Sequence, residues 1–160
     1  MTADAMRQDE FPDGDYTYAD FLEWPDDLRA EIIDGQVFMM APPLDYHQLI
    51  SMELCYRIRS FLDGKPCKVF SAPYSVRLFP RADKTDDTVV EPDIVVICDQ
   101  SKRDKYGCNG APDMIIEILS PSTSRHDQLV KYNKYLKAGV KEYWMVNPET
   151  KGVQVCILEG

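Results

Sequence analysis

Residues 113–147, DMIIEILSPSTSRHDQLVKYNKYLKAGVKEYWMVN, decide the fold of this chain. The run MIIEIL is β-branched and aliphatic, which is typical of a buried strand. A helical pattern follows and reaches about Ala138, where Gly139 is expected to end it, and EYWMVN is a second strand. A strand, a helix and a strand in this order predict a parallel pair joined by a right-handed crossover. We therefore expect an α/β protein with a mixed central sheet flanked by helices.

The sequence before and after this segment predicts a hairpin, a long helix and further strands. Asp34-Gly35 separates two apolar-rich runs in residues 30–40, which is the strongest short-range signal for a β-hairpin. Residues 44–62 carry apolar side chains at helical spacing, and Gly64 follows them. Strands are predicted in residues 67–71, 74–80, 90–98 and 153–159, a short helix in residues 17–28, and loops in residues 80–89 and 99–112.

The length and composition are those of one globular domain. We predict a disordered tail over residues 1–15 and a single domain over residues 16–160. The tail is acidic and polar, unlike a signal peptide, and no apolar run is long enough to span a membrane. These features predict a cytoplasmic protein that does not contact a membrane.

The charged and metal-binding side chains limit the function classes. The net charge of −9 disfavours a broad basic surface, which is the usual means of binding nucleic acid. The five cysteines form no CxxC pair, which predicts isolated, reduced thiols. Because the chain has only two histidines, a histidine and cysteine zinc site is disfavoured. Oxygen ligands for Mg²⁺ or Mn²⁺ fit the composition better.

Two acidic residues lie within apolar runs. Asp93 lies in VVEPDIVVI, and Glu117 lies in PDMIIEIL with aliphatic neighbours on both sides. A buried carboxylate is costly unless it is paired or bound to a metal. Asp93 is therefore either a metal ligand or a strand-entry residue that caps a backbone amide. Glu117 is either a metal ligand or the partner of a core lysine or arginine.

Asp127, Lys131 and Tyr135 recur every four residues and so share one face of the predicted helix. In one interpretation Asp127 and Lys131 form a solvated surface pair that contributes only tenths of a kcal/mol. In the other, Lys131 points to the sheet near Glu117, where its charge stabilises a developing oxyanion or orients a water.

Glu31 and His47 complete the set of candidate residues. Glu31 lies beside the predicted hairpin turn, where a glutamate is usually solvated. His47 lies in the first turn of the predicted long helix, where a histidine is usually an ordinary half-buried residue. Both are therefore weaker candidates than Asp93 and Glu117.

The order of these motifs resembles the Uma-two family of restriction endonucleases, within the PD-(D/E)XK nuclease superfamily. The resemblance covers residues 17–158. It rests on EIIDG, His47, EPDIVVI and, most specifically, on APDMIIEILSPSTSRHDQLVKYNKYLKAGVKEYWMVNP. It implies a restriction-endonuclease-like core with a mixed central sheet flanked by helices.

The resemblance also implies a set of ligands for Mg²⁺ or Mn²⁺. Asp93 matches the aspartate of the PD element, and Glu117 matches the second acid. Glu31 is the acid that completes such sites, and the backbone carbonyl of Ile118 is expected to face the metal.

One position departs from the superfamily pattern. Leu119 stands where the lysine of that pattern follows the second acid by two residues. We expect Lys131, on the following helix, to take the role of this lysine. His47 and Asp127 are expected to line the same site.

These inferences predict a Mg²⁺-dependent endodeoxyribonuclease that acts on DNA, with Asp93, Glu117 and Lys131 as catalytic residues. A homodimer is expected by analogy with nucleases that cut both strands of a duplex, since two-fold pairing is the commonest oligomer. Two alternatives stay open, because fold alone does not determine function. One is a non-catalytic nucleic-acid-binding or regulatory protein that retains the fold. The other is a metal-dependent hydrolase of small phosphate esters.

Overall fold

The structure, a computed structural model, describes residues 11–121, 123 and 125–159. Within these residues the chain forms three α-helices, ten β-strands and one 3-10 turn. The helices are α1 (Tyr18–Phe21), α2 (Asp45–Phe61) and α3 (Arg125–Ala138), and the turn covers Gln100–Lys102. The strands are β1 (Ala30–Ile33), β2 (Gln36–Met39), β3 (Lys68–Ser71), β4 (Ser75–Arg77), β5 (Val89–Val90), β6 (Ile94–Ile97), β7 (Gly107–Asn109), β8 (Met114–Ile118), β9 (Glu142–Asn147) and β10 (Gly152–Ile157).

The strands form two five-stranded mixed sheets. The first sheet has the order β2-β1-β5-β4-β7, and the second has the order β10-β9-β8-β6-β3. In the second sheet β8 and β9 are parallel, with Glu117 opposite Met145, and α3 connects them. The predicted α/β class and the strand–helix–strand unit are therefore confirmed. The chain passes from the first sheet to the second between β5 and β6, at Glu91-Pro92-Asp93.

The two faces of the second sheet contact different helices. On one face, Ile115 of β8 belongs to a buried cluster with Tyr135 of α3. On the other face, Ile116 packs in a second cluster with Leu54 of α2. Because side chains alternate along a strand, Glu117 shares the face of Ile115 and points toward α3. The period of the strand thus determines which helix this carboxylate meets.

The hairpin and both long helices agree with the sequence-based prediction. Asp34 and Gly35 have φ angles of 50° and 77° and connect β1 to β2. Positive φ at both central residues is the geometry that an Asp-Gly turn favours. Gly139 has a φ of 92° directly after α3, which ends the helix as expected.

Three local predictions differ from the structure. The strand expected in residues 90–98 is interrupted before Ile94: Val90 belongs to β5 in the first sheet, and Ile94–Ile97 forms β6 in the second. The helix expected in residues 17–28 covers only Tyr18–Phe21, and the loop expected in residues 99–112 contains β7. β7 pairs in parallel with β4, with Gly107 opposite Ser75. A Cβ atom at Gly107 would lie 2.1 Å from the Ser75 carbonyl oxygen, so only glycine allows this close pairing. A three-residue strand with no apolar alternation gives no periodic signal.

The N-terminal tail is described in part. Residues 1–10 of the expected disordered tail lie outside the described residues. The ring of Phe11 lies 5.8 Å from that of Tyr16 and 5.1 Å from that of Trp24, between ring centroids. Tyr16 also donates its backbone N–H to the Gly35 carbonyl at 2.9 Å. Gly14 and Tyr16 thus contact the hairpin, since the Gly14 carbonyl also accepts a hydrogen bond from the Gln36 side chain at 3.0 Å.

The prediction of five reduced thiols is wrong for two of them. Cys67 and Cys98 form a disulfide. β3 and β6 are antiparallel with Lys68 opposite Ile97, which places the flanking Cys67 opposite Cys98. The register of the two strands, which the sequence does not show, makes this pair. Cys55, Cys108 and Cys156 are free thiols.

None of the described helices is long and apolar enough to cross a lipid bilayer.

Candidate active site

A cleft of about 1040 Å³ lies between the β1–β2 hairpin, the start of α2, the end of β8 and the start of α3. Every residue that the sequence singled out lines this cleft. These residues are Glu31, His47, Asp93, Glu117, Ile118, Asp127 and Lys131. The first sheet contributes Glu31, and the second contributes Glu117 and Ile118. The cleft therefore joins functional side chains from both sheets.

Lys131 connects two of the carboxylates. Its Nζ atom lies 2.9 Å from Oε2 of Glu31 and 3.0 Å from Oε1 of Glu117. Burial by itself lowers the pKa of a lysine, but the negative charges of Glu117 and Glu31 outweigh this effect and raise the pKa of Lys131 above its ordinary value. Lys131 is thus a fully charged ammonium that faces the cleft, and the solvated surface pair with Asp127 is not the observed arrangement.

Glu117 is held on one side by two donors from α3. Its Oε1 accepts hydrogen bonds from Lys131 and from the Tyr135 hydroxyl at 2.7 Å, and Tyr135 is fully buried. Its Oε2 accepts no hydrogen bond from the part of the chain that the structure describes. Burial raises the pKa of Glu117 to about 7; the ammonium of Lys131 opposes this rise, and the charges of Asp93 and Glu31 add to it. The core-lysine interpretation and the ligand interpretation of Glu117 are compatible with this geometry.

Asp93 is positioned by a backbone amide and a histidine. Its Oδ2 accepts a hydrogen bond from the Ile118 N–H at 2.7 Å, so Asp93 does cap an amide, and that amide belongs to the neighbouring strand. Its Oδ1 lies 3.0 Å from Nε2 of His47. The hydrogen bond to Asp93 raises the pKa of His47 above its ordinary value, while burial acts in the opposite direction. His47 is therefore biased toward the imidazolium form.

Glu31 is anchored by the chain that crosses between the sheets. Its side chain is buried, and its Oε1 accepts the backbone N–H of Glu91 at 2.9 Å. Glu91 is two residues before Asp93, so this hydrogen bond fixes the two carboxylates relative to each other. The expected solvated position of Glu31 beside the turn is not what the structure shows.

The donor set fits a hard divalent cation by its chemistry. Glu31, Asp93 and Glu117 line a single cleft, and carboxylate oxygens are the ligands that Mg²⁺ and Mn²⁺ prefer. Burial is the main cause of the raised pKa of Glu117, and the charges of Asp93 and Glu31 add to it. A bound cation would relieve that repulsion. Among the described residues, no three His, Cys, Asp or Glu side chains are close enough to form a preformed metal cluster, and the Lys131 ammonium lies between Glu31 and Glu117.

Sequence reasoning missed two side chains at this site. Tyr135 was placed on the Lys131 face of the helix but given no role, although its hydroxyl bonds Glu117. Arg29 lines the cleft and was not considered. The sequence does indicate this position: Arg29 precedes Glu31 by two residues, and residues two apart on a strand share one face.

Comparison with known proteins identifies the family of this chain. The model of the Uma2 family, described as "Putative restriction endonuclease", matches residues 18–160. The "Uncharacterized protein slr1290" of Synechocystis sp. is 28% identical over 118 residues, which are 72% of this chain and 60% of that relative. The chain therefore spans about 60% of the length of the curated relative that it matches.

A solved structure also shares the fold. It is described as a "putative nuclease belonging to DUF820" from Anabaena variabilis, and it matches with a TM-score of 0.73 at 25% identity. The match covers 91% of this chain and 81% of that one. Together with the family match over most of the chain, these likenesses show that the protein belongs to the Uma2 family.

Proposed function

We propose that this protein is a metal-dependent endonuclease that hydrolyses phosphodiester bonds of DNA with Mg²⁺ or Mn²⁺. The observation that carries the proposal is the meeting of Glu31, Asp93 and Glu117 with Lys131 in one cleft. Burying such a cluster of charges costs desolvation free energy, and titratable groups with strongly shifted pKa values concentrate at functional sites. Membership of a nuclease-like family supports the reaction class.

The carboxylates are the groups that would hold the metal. Asp93 and Glu117 are the principal ligands, Glu31 is the third, and the Ile118 carbonyl is the expected backbone donor. When bound, the metal would supply Lewis acidity and a water of lowered pKa. The His47 contact orients the Asp93 carboxylate, and the Tyr135 contact orients that of Glu117.

Lys131 supplies the positive charge that the superfamily pattern places two residues after the second acid. Leu119, which occupies that position, also lines the cleft and has no charge to offer. The helix α3 brings the Lys131 ammonium to the same carboxylate from the other direction. In this proposal the ammonium orients the attacking water and stabilises the charge that develops on the phosphate.

Cleavage of supercoiled plasmid tests the proposal. We expect nicked and linear DNA with Mg²⁺ or Mn²⁺ and none with excess EDTA. Asp93→Asn is expected to lower the cleavage rate at least ~100-fold, because it removes a ligand charge from the site. Asp63→Asn is the matched control, since the Asp63 side chain is 80% exposed on the surface. Equal rates for Asp93→Asn and the parent would contradict the proposed site.

We also propose a homodimer, which would allow both strands of a duplex to be cut. The support is an apolar stripe on the outer face of α2, where Leu49, Met52 and Tyr56 are 70%, 74% and 68% exposed. They recur at i, i+3 and i+7 and form one patch, which a second copy could cover. Sedimentation equilibrium is expected to show a dimer that Leu49→Asp dissociates. A monomeric parent would contradict this part of the proposal.

One observation favours a second candidate, a non-catalytic nucleic-acid-binding protein that retains the fold. Lys131 already neutralises Glu31 and Glu117, and His47 already pairs with Asp93. In such a protein these pairs would be permanent, and Mn²⁺ would leave the melting temperature unchanged. A metal-dependent rise in melting temperature favours the nuclease.

A cytoplasmic location belongs to the same proposal, because the DNA substrate lies there. The Cys67–Cys98 disulfide is of a kind that is rare in the cytosol, where thiols are kept reduced. The disulfide is therefore the observation that counts against this location. The disulfide lies outside the residues proposed to act on the substrate.

A further inference from the structure

Arg29 lines the same cleft and directly precedes the strand that carries Glu31. The Arg29 carbonyl accepts the Met40 N–H at 2.9 Å, so this residue continues the β1–β2 ladder by one residue. Residues two apart on a strand point to the same face and are about 6.6 Å apart along it. Arg29 therefore lies on the same face as Glu31, one side-chain repeat along the strand.

Most of the Arg29 guanidinium is available for a ligand. Its Nε donates to Oε2 of Glu91 at 3.1 Å, and Nη2 lies 3.9 Å from the Met40 sulfur, a weak acceptor. Nη1 donates no hydrogen bond to the described part of the chain. The side chain is 34% exposed and lines the cleft. A guanidinium with one edge fixed and the other edge open is arranged to receive a planar or tetrahedral anion.

The surroundings of Arg29 indicate which anion. Arg29 bonds the side chain of Glu91, and the backbone N–H of Glu91 bonds Glu31, which pairs with Lys131. Arg29 and Lys131 therefore place two cations in one cleft. Two cations in one cleft suit a ligand with more than one phosphate, such as a polynucleotide strand, better than a small ester with a single phosphate.

We infer that Arg29 binds the backbone phosphate next to the one that is cut, and that the substrate of this site is therefore a polynucleotide. This inference rests on the proposed function, because it takes the carboxylate cluster as the point of cleavage. Arg29 is a binding residue in this account: it holds a neighbouring phosphate and takes no part in bond breaking. Phosphate contacts of this kind position a nucleic acid without reading its sequence.

Arg29 could instead serve only to compensate the charge of Glu91, and the experiment must distinguish this role from phosphate binding. The Glu91 side chain is only 11% exposed, and burial raises its pKa despite Arg29, so Arg29 also compensates a buried charge. Arg29→Met alone would leave that charge unpaired and could unfold the chain. The double variant Arg29→Met/Glu91→Gln removes both charges together. Glu91→Gln alone keeps Arg29 and is the matched control.

Two assays test the inference. Fluorescence anisotropy with a labelled DNA duplex in Ca²⁺ measures binding. Hydrolysis of bis(p-nitrophenyl) phosphate with Mn²⁺ measures turnover of a substrate that has one phosphate. We expect Glu91→Gln to bind duplex within about twofold of the parent. The double variant is expected to bind about tenfold more weakly. Its plot of log affinity against log salt should be shallower by about 0.9, the value for one lost phosphate contact. Turnover of the small diester should be unchanged.

Three other outcomes would contradict the inference or the proposed function. Equal affinity and equal salt slope for the double variant and Glu91→Gln would overturn the inference and leave the nuclease proposal intact. Equal losses on duplex and on the small diester would also overturn it, because they would show a general disturbance of the site. If the parent hydrolyses neither substrate, the proposed function fails, and the anisotropy data alone still decide whether Arg29 contacts phosphate.

Discussion

Replacing Lys131 with methionine is expected to stop DNA cleavage and to destabilise the fold. Methionine keeps the length and apolar stem of the side chain but removes the ammonium between Glu31 and Glu117. Breaking a buried ion pair by removing one partner costs about 3–5 kcal/mol in the free energy of unfolding. Metal-dependent plasmid cleavage should fall at least ~100-fold, the low end for losing an electrostatic stabiliser. Urea denaturation in EDTA and plasmid nicking measure the two effects.

Lys134→Met is the matched control, one helix turn nearer the C-terminus. Lys134 is only 18% exposed, but its partner Asp34 is 64% exposed, so replacing Lys134 leaves no buried carboxylate unpaired. We expect near-normal cleavage and a small loss of stability. Similar cleavage by Lys131→Met and Lys134→Met would show that Lys131 is only a structural counter-charge.

Glu117→Gln is expected to raise stability in EDTA at pH 8. The pKa of Glu117 is about 7 in the folded chain, above its ordinary value of 4.5. The folded state therefore holds this proton more tightly than the unfolded state, and its stability falls as pH rises from about 4.5 to about 7. Glutamine does not titrate and escapes this loss, while Lys131 keeps Glu31 as a partner. We expect a gain of roughly 1–3 kcal/mol at pH 8 and little difference near pH 4.5.

The same substitution is expected to abolish the stabilisation that Mn²⁺ gives the parent, because a ligand is lost. Thermal melts from pH 4.5 to 8, with EDTA and with Mn²⁺, give both results from one series. Gln154→Glu, on the exposed face of β10, controls for the effect of a single charge. An undiminished Mn²⁺ shift in Glu117→Gln would remove Glu117 from the ligand set.

Local chemistry in the sequence was sufficient to predict the elements that surround the site. Asp34-Gly35 determines the hairpin that carries Glu31, and Gly139 ends the helix that carries Lys131, because each needs a positive φ. The aliphatic run of β8 determines a buried strand. β7 could not be found, since three residues held by Gly107 against β4 carry no periodicity.

The side-chain contacts of the site that depend on tertiary packing could not be predicted from the sequence. Period two places Arg29 beside Glu31, but only the packing of the two sheets shows that this face meets α3. The bonds from Tyr135 and Lys131 to one oxygen of Glu117 depend on the rotation of α3 about its axis. The Cys67–Cys98 disulfide depends likewise on the register of β3 and β6.

Anomalous diffraction from crystals grown with Mn²⁺ tests the central claim most directly. We predict one manganese peak in the cleft, with oxygens of Asp93 and Glu117 about 2.0–2.6 Å from the ion. The Lys131 ammonium should have moved away from Glu117, because a cation and an ammonium cannot share the same carboxylate edge without repulsion. An absent peak at saturating Mn²⁺, with Lys131 still bonded to both Glu31 and Glu117, would contradict the metal site and the nuclease function built on it.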